Sequence, residues 1–574
     1  MAHDLVIRGG NVADGRGSPL IEADIAIDDG RITEIGKVAG TGAEEIDARG
    51  LLVAPGFVDI HSHYDGQAIW DDRLHSSSWH GITTTVMGNC GVGFAPVRPE
   101  HRDLLIEVME GVEDIPGPVL REGLDWDWNS FPDFLDALEK RPHDMDICAQ
   151  LPHSALRVYV MGERAMRREK ATADDIAEMR RLAKEAIEAG ALGFTTSRTA
   201  NHRTLAGELI PSHGAAPEEF AGIAQGLTDA GKGVLQMIAD LPPETRRDEF
   251  AIMRRMVEES GRPLSLTVLQ RNRDPDGWRE VMAMVDDAVN DGHVIHAQVT
   301  PRPLGTMFGL DMERHPFCFH PSFQKIAHAP LAEKLAAWRD PAFRAQLLSE
   351  EPLMDDPARK RRIQVFDYMF ELGDPPDYTP SPDRAIAALA KAQGRTPREV
   401  AYDLMEKFDG QNMLYAPDTG YSGYSMDGCR DLLQNPHTVV GLSDGGAHVG
   451  HISDISFSTF LLTYWGRDRP EGLLDVSWLI KRMTGDTADM VGLCDRGVIA
   501  PGYKADINVI DLDRLAIGRP YMVYDLPMGA KRLLQKAEGY VATIVAGQPV
   551  YRDGEATGAL PGRLVRGAQA APAA

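Results

Sequence analysis

Residues 51–67 read LLVAPGFVDIHSHYDGQ. From Leu51 to Ile60 the chain is rich in branched and aromatic residues, and it reads as a buried strand that ends in two histidines. His61 and His63 stand at positions i and i+2. On an extended backbone both rings therefore point to one face and can grip one ion from the same side. A His-x-His pair at a strand end is also compatible with an ordinary polar rim, so the rest of the chain has to decide between the two readings.

Outward from this stretch, seven more brief apolar runs alternate with longer helical patterns. They are TTTVMGNCG (from Thr83), DICAQLPHS (from Asp146), ALGFTTSR (from Ala191), GVLQMIAD (from Gly233), PLSLTVLQR (from Pro263), VIHAQVTP (from Val294) and TVVGLSDGG (from Thr438). The helix before ALGFTTSR is the clearest, with Thr172 and Asp175 as a capping box. Ile176, Met179, Leu182, Ala183, Ala186 and Ile187 form its apolar face, and Gly190 is its stop. Eight strand-and-helix units predict an α/β fold built on a (β/α)8 barrel. The residues able to do chemistry fall at the C-terminal ends of these runs, where barrel sites assemble.

The two ends of the chain have another texture. Period-two alternation in residues 4–53 returns in GVIAPGYKADINVIDLD and GYVATIVAGQPVYRDGE near the C-terminus, which predicts one small β-sandwich built from both termini. The expected division is residues 1–54 for the first part of the sandwich, 55–490 for the barrel, 491–560 for the second part of the sandwich and 561–574 for a disordered tail. An excursion at about 303–375 exceeds an ordinary barrel loop and reads as a lid over the mouth or as a packing subdomain.

Composition narrows the function. Sixty Lys and Arg against 86 Asp and Glu in 574 residues leave a formal net charge of −26. With no basic stripe, this argues against a nucleic-acid partner. No apolar run reaches the length of a membrane span. Five scattered cysteines suggest reduced thiols, and the N-terminus lacks a signal-peptide pattern, so a cytoplasmic location is expected. A closed homo-oligomer is compatible with a chain of this size.

PGFVDIHSH, GITTTVMGNCG, VVGLSDGGAH and GVIAPGYKADINVID together resemble the amidohydrolase superfamily, which hydrolyses amides and cyclic amides with one or two divalent metals. GNCG, LPHSALRVYVMG and GALGFTTSR narrow the resemblance to the N-acyl-D-amino-acid deacylases, or D-aminoacylases. It implies His61 and His63 as metal ligands on the first strand and Cys90 as a thiolate ligand. Asp444 is implied as a strand 8 carboxylate that both contacts metal and takes a proton from the attacking water. For Cys90 the alternative is a small buried apolar residue, and for Asp444 a helix cap.

The family pattern fails at the fifth and sixth strands, which carry Gln236 and Gln270 where histidines are expected, and ALGFTTSR has no lysine to bridge two metals. One Zn2+ per subunit held by His61, His63, Asp444 and Cys90 is the resulting expectation. His153 is a candidate donor to the oxyanion or a core histidine. His448 and His451 would orient ligands or cap their loop. Arg198, Arg271 and Arg302 are candidates for holding a substrate carboxylate, each alternatively an ordinary surface arginine. The expected reaction is metal-dependent deacylation of an N-acyl amino acid. A hydantoinase-like cyclic amide hydrolase and a noncatalytic scaffold are the alternatives.

Overall fold

The computed structural model describes residues 2–354 and 363–573. Each of the eight apolar runs contains a strand: β1 (Phe57–Asp59), β2 (Ile82–Met87), β3 (Asp146–Ala149), β4 (Gly193–Arg198), β5 (Val234–Ala239), β6 (Leu264–Thr267), β7 (Ile295–Val299) and β8 (Thr438–Val440). β1, β2 and β3 pair side by side in parallel, with Thr84 opposite Asp146. Beyond Gln150, Leu151–Pro152 continues β3 and pairs in parallel with β4. From there β4 to β8 follow in parallel order, with Gly193 opposite Val234 and Ala297 opposite Thr438. A parallel bridge from Ser62 to Gly445 joins the segments that leave β1 and β8.

These strands are buried along most of their length, which is why they read as continuous apolar runs rather than alternating ones. Helices fill the crossovers. α1 (Arg102–Glu113) follows β2, and α2 (Ala173–Ala189) precedes β4. In α2 the Thr172 hydroxyl accepts from Asp175 N–H and the Asp175 carboxylate accepts from Thr172 N–H. Met179, Leu182, Ala183, Ala186 and Ile187 are buried on its inner face. Gly190 ends it at φ 120°, where a Cβ would collide with Arg566.

Strands from both termini form one sheet. Ala2–Val12, Ile21–Asp28, Arg31–Gly36, Thr41–Asp47 and Leu52–Pro55 join Ile507–Ile510, Tyr540–Val545, Gln548–Arg552 and Glu555–Ala556. Alternate residues such as Leu5, Ile7, Ile25 and Ile27 pack with Val509, Ala542 and Ile544 in one apolar cluster. The alternation legible in the sequence is the alternation of faces in this sheet.

The excursion after β7 runs further than expected. Leu304–Gly309 pairs antiparallel with Met413–Thr419, so the chain returns to the strand set only after residue 419. Phe308, Phe317, Trp338, Tyr402 and Leu414 give the segment an apolar core of its own. Residues 355–362 of the expected insertion lie outside the described residues.

Residues 561–573 correct an expectation, because they are ordered against the protein. Gly562 exchanges backbone hydrogen bonds with His143, Leu564 bridges Ile147, Gln569 bridges Leu493, and Leu564 and Val565 are buried. Residues 562–565 bond along the segment that enters β3, and Gln569 exchanges backbone hydrogen bonds with Gly492 and Cys494. No helix among the described residues is long and apolar enough to cross a membrane.

Candidate metal centre

Beyond the end of β1, His61 and His63 present their rings to one side with centroids 5.4 Å apart, and both are buried. His61 Nδ1–H donates to Gln298 Oε1 at 2.7 Å, and Gln298 Nε2 donates in turn to Ser265 Oγ at 2.9 Å. That chain from β6 through β7 leaves the His61 Nε2 lone pair directed into the site. Nε2 lies 3.3 Å from Cys90 Sγ and 3.5 Å from Asp444 Oδ1. His63 Nε2 lies 3.8 Å from the same Asp444 oxygen. Its Nδ1 faces Glu113 Oε1 at 3.3 Å but makes no aligned hydrogen bond.

His61, His63 and Cys90 each bring a ligand atom within 4.8 Å of the other two, and Asp444 approaches from the histidine side. The backbone supports this convergence at a cost. Cys90 (φ 57°), Asp114 (φ 52°), Asp444 (φ 49°) and His448 (φ 48°) all adopt the left-handed conformation, which costs a non-glycine residue roughly 1–2 kcal/mol. Such strain gathers where geometry is held for function. The glycines beside Cys90 allow the close approach: a Cβ on Gly91 would meet the Thr196 backbone at 2.8 Å, and one on Gly88 the Gln150 carbonyl at 2.3 Å.

Burial pushes His61 down to about 4 and the Cys90 thiol up to about 11. His63 moves the other way. Burial opposes its charge, but Glu113, Asp444 and Cys90 outweigh that and raise it well above an ordinary histidine. Burial alone would raise Asp444, but the two imidazoles facing its carboxylate outweigh that and hold it below the usual carboxylate range. Its side chain is 22% exposed, so of these four groups it is the one with a path to solvent.

The other predicted residues divide. His153 is fully buried, bonded to Thr196 Oγ1 at 2.8 Å and to Glu219 Oε1 at 2.9 Å. Both ring nitrogens are occupied, which corrects its reading as an oxyanion donor. Arg302 is buried against Asp454 (2.5 Å) and Ser456 (2.6 Å), with its guanidinium over the Tyr378 ring. Arg198 makes a two-pronged pair with Glu249 at 2.6 and 2.8 Å. Each of these two arginines already holds an internal carboxylate, so neither is free for a substrate, contrary to expectation. Arg271 differs: it is 37% exposed and reaches Asp240 only at 3.5 Å.

His448 and His451 bind Asp114 at 2.8 and 3.3 Å and do not orient His61 or His63 directly. Gln236 Oε1 accepts the Cys90 N–H at 3.1 Å, while its Nε2 is buried without a partner. Gln270 sits against Gly428 and reaches Pro275 O at 3.4 Å. Three site residues escaped the sequence reading: Glu113, Gln298 and His202. Gln298 is inside a recognised strand run, VIHAQVTP, and a search for inward-facing polar residues would have found it. Glu113 ends a crossover helix and carries no local signal. His202 bonds Ser197 Oγ at 2.9 Å and lies close enough to feel the charges of His63 and Asp444, and burial lowers it to about 3.

Known proteins with this organisation are consistent. N-acyl-D-aspartate deacylase of Alcaligenes xylosoxydans xylosoxydans is 28% identical over 99% of this chain and 96% of its own length. D-aminoacylase of the same organism is 25% identical over 98% of this chain and 97% of its own. Among solved structures, D-aminoacylase superimposes with a TM-score of 0.65 at 22% identity, over 98% of this chain and 100% of that one. N-acyl-D-glutamate deacylase from Bordetella bronchiseptica, complexed with zinc and a phosphonate inhibitor, superimposes at 0.64 and 21% identity, over 99% and 100%. These two share the fold. The sequence model of the amidohydrolase family matches residues 44–551, most of the chain and all of the site just described, and this protein belongs to the amidohydrolase family.

Proposed function

We propose that this chain hydrolyses the amide bond of an N-acyl amino acid at a single divalent-metal centre held by His61, His63, Cys90 and Asp444. The observation that carries the reading is the convergence of two buried imidazoles and a thiol within 4.8 Å, with one carboxylate oxygen reaching both rings. The donors fit a metal. Sulfur and imidazole suit Zn2+, and His63 keeps a buried, unbonded Nδ1 that Glu113 would align once the ring binds an ion. A bound Zn2+ would polarise the scissile carbonyl and lower the pKa of water toward neutrality.

The chain's own groups do the rest. Asp444, ionised and partly exposed, accepts the proton of the attacking water and passes it to the leaving amine. The unpaired Gln236 Nε2 beside Cys90 donates to the carbonyl oxygen as negative charge develops there. Arg271, the least committed of the three arginines, pairs with the substrate carboxylate. One ion suits the site better than two, because β5 and β6 end without histidine. The parallel strands with their Ser62–Gly445 bridge support a closed (β/α)8 barrel at residues 55–490, and the sheet shared by both termini supports a β-sandwich at 1–54 and 491–560. Metal quantification by mass spectrometry, with hydrolysis of N-acetyl-D- and L-amino acids measured on the same preparation, tests the reading. A protein without stoichiometric metal and without turnover refutes it.

A further inference from the structure

A cavity of about 1130 Å³ lies between the excursion after β7 and the hairpin formed by Tyr521–Leu526 and Ala530–Leu534. Phe323, Leu331, Val449 and Met522 line it together with Lys334 and Lys531, whereas His61, His63, Cys90 and Asp444 do not. Lys334 is the group that needs an explanation. It is 3% exposed on the helix Leu331–Trp338, and among the described residues no hydrogen bond or ion pair reaches its ammonium. The nearby carboxylate of Asp311 is taken by the Tyr524 hydroxyl at 2.6 Å, and Lys531 Nζ donates to the Asp311 carbonyl at 2.6 Å. Lys531 adds a second positive charge beside Lys334, and burial together with that charge lowers the Lys334 pKa. The Lys334 ammonium opens unpaired onto a cavity whose wall also carries Asp114, Asp311 and Glu313, and an entering anion would supply its missing counter-charge.

We propose that this chamber binds an organic anion with an apolar body, its carboxylate paired to Lys334 and Lys531 and its hydrocarbon against Phe323, Leu331, Val449 and Met522. The volume exceeds that of ordinary small-molecule pockets, roughly 300–1,000 Å³, so a medium-chain carboxylate fits. The site is separate from the metal centre and does not depend on it. Asp114, whose neighbour Glu113 faces His63, and the loop after β8, which carries Asp444 and places Val449 and His451 on the cavity wall, lie between the two.

Titration calorimetry with decanoate, and with decanol as the uncharged control, tests the assignment. One decanoate per chain is expected, bound more tightly than decanol and with the same affinity after chelator treatment. In Lys334→Met decanoate should bind about tenfold more weakly while decanol is unaffected. Should circular dichroism show Lys334→Met unfolded, Lys531→Gln carries the same comparison, with an expected loss of about threefold. No decanoate binding, equal affinity for decanoate and decanol, or unchanged decanoate affinity in the folded variant overturns the proposal. Binding lost on chelation would place the carboxylate at the metal centre and overturn it as well.

Discussion

At the base of β3, Asp146 meets Arg496 Nη1 at 2.6 Å and Lys504 Nζ at 2.8 Å, and Lys504 turns also to Asp506 at 2.8 Å. At the other end of the strand set, His61, His63, Cys90 and Asp444 face one another with no lysine or arginine among them. Both clusters are buried and both sit where parallel strands end. The first is complete: each buried charge has its opposite within the chain, and the cluster ties β3 to the C-terminal part of the terminal sheet. The second brings together electron-pair donors and leaves the cation to come from outside. Burial of charge alone therefore does not identify a site. A converging donor set with no lysine or arginine among it is what points to one.

The sharpest way to break this contrast is to remove a donor from one cluster and a charge from the other. His61→Ala should abolish stoichiometric metal and cut kcat/KM by about 10⁴-fold, since the carbonyl polarisation worth several kcal/mol goes with the ion. Its thermal unfolding without metal should match that of metal-stripped wild type. Asp146→Asn should do the reverse, costing about 3–5 kcal/mol in urea unfolding because Arg496 and Lys504 lose their shared partner. Metal content and kcat of the folded fraction should then be unchanged. Comparable loss of metal in both variants would erase the distinction.

The acid limb of stability sharpens the same comparison. Burial alone would raise Asp146, but Lys504 and Arg496 outweigh it and hold its carboxyl below the usual range. A carboxylate depressed in the folded state contributes stability that is complete above the unfolded value near 3.9 and is lost as pH falls toward the lower folded value. Urea midpoints should therefore drop below about pH 4 in wild type, and this component should vanish in Asp146→Asn.

Smaller effects probe how the donors are aimed. Gln298→Ala removes the acceptor of His61 Nδ1–H and should weaken metal affinity by about 10–100-fold, read by competition with a chromogenic chelator. Arg271→Met should raise KM for an N-acyl amino acid by about tenfold with kcat little changed, as expected for a group that only binds the carboxylate. An N-acyl amine lacking that carboxylate should show no such difference.

Much of this was legible in the chain. All eight apolar runs became strands because strand burial on both faces leaves a local signature, and the capping box of Thr172 and Asp175 marks α2 for the same reason. His61 and His63 stood out because they close such a run, and Cys90 and Asp444 because their settings, GNCG and SDGG, resemble those of the deacylases. His153, Arg198 and Arg302 misled because their partners, Glu219, Glu249 and Asp454, lie 66, 51 and 152 residues away in the chain. Nothing near each residue reports a partner so distant. Residues 561–573 look disordered by composition, yet backbone bonds to remote segments at His143, Ile147, Gly190, Gly492 and Cys494 hold them.

The places of the strands, the faces of helices and the pair of histidines beyond the first of the eight parallel strands follow from periodicity, which is a property of neighbouring residues, so the sequence alone determined them. Which cations remain available, which amide aims His61 and which buried lysine lacks a partner were decided only by the tertiary structure. Those outcomes depend on whether a counter-group from a remote segment arrives within hydrogen-bonding distance, and that distance is set by the packing of the whole chain.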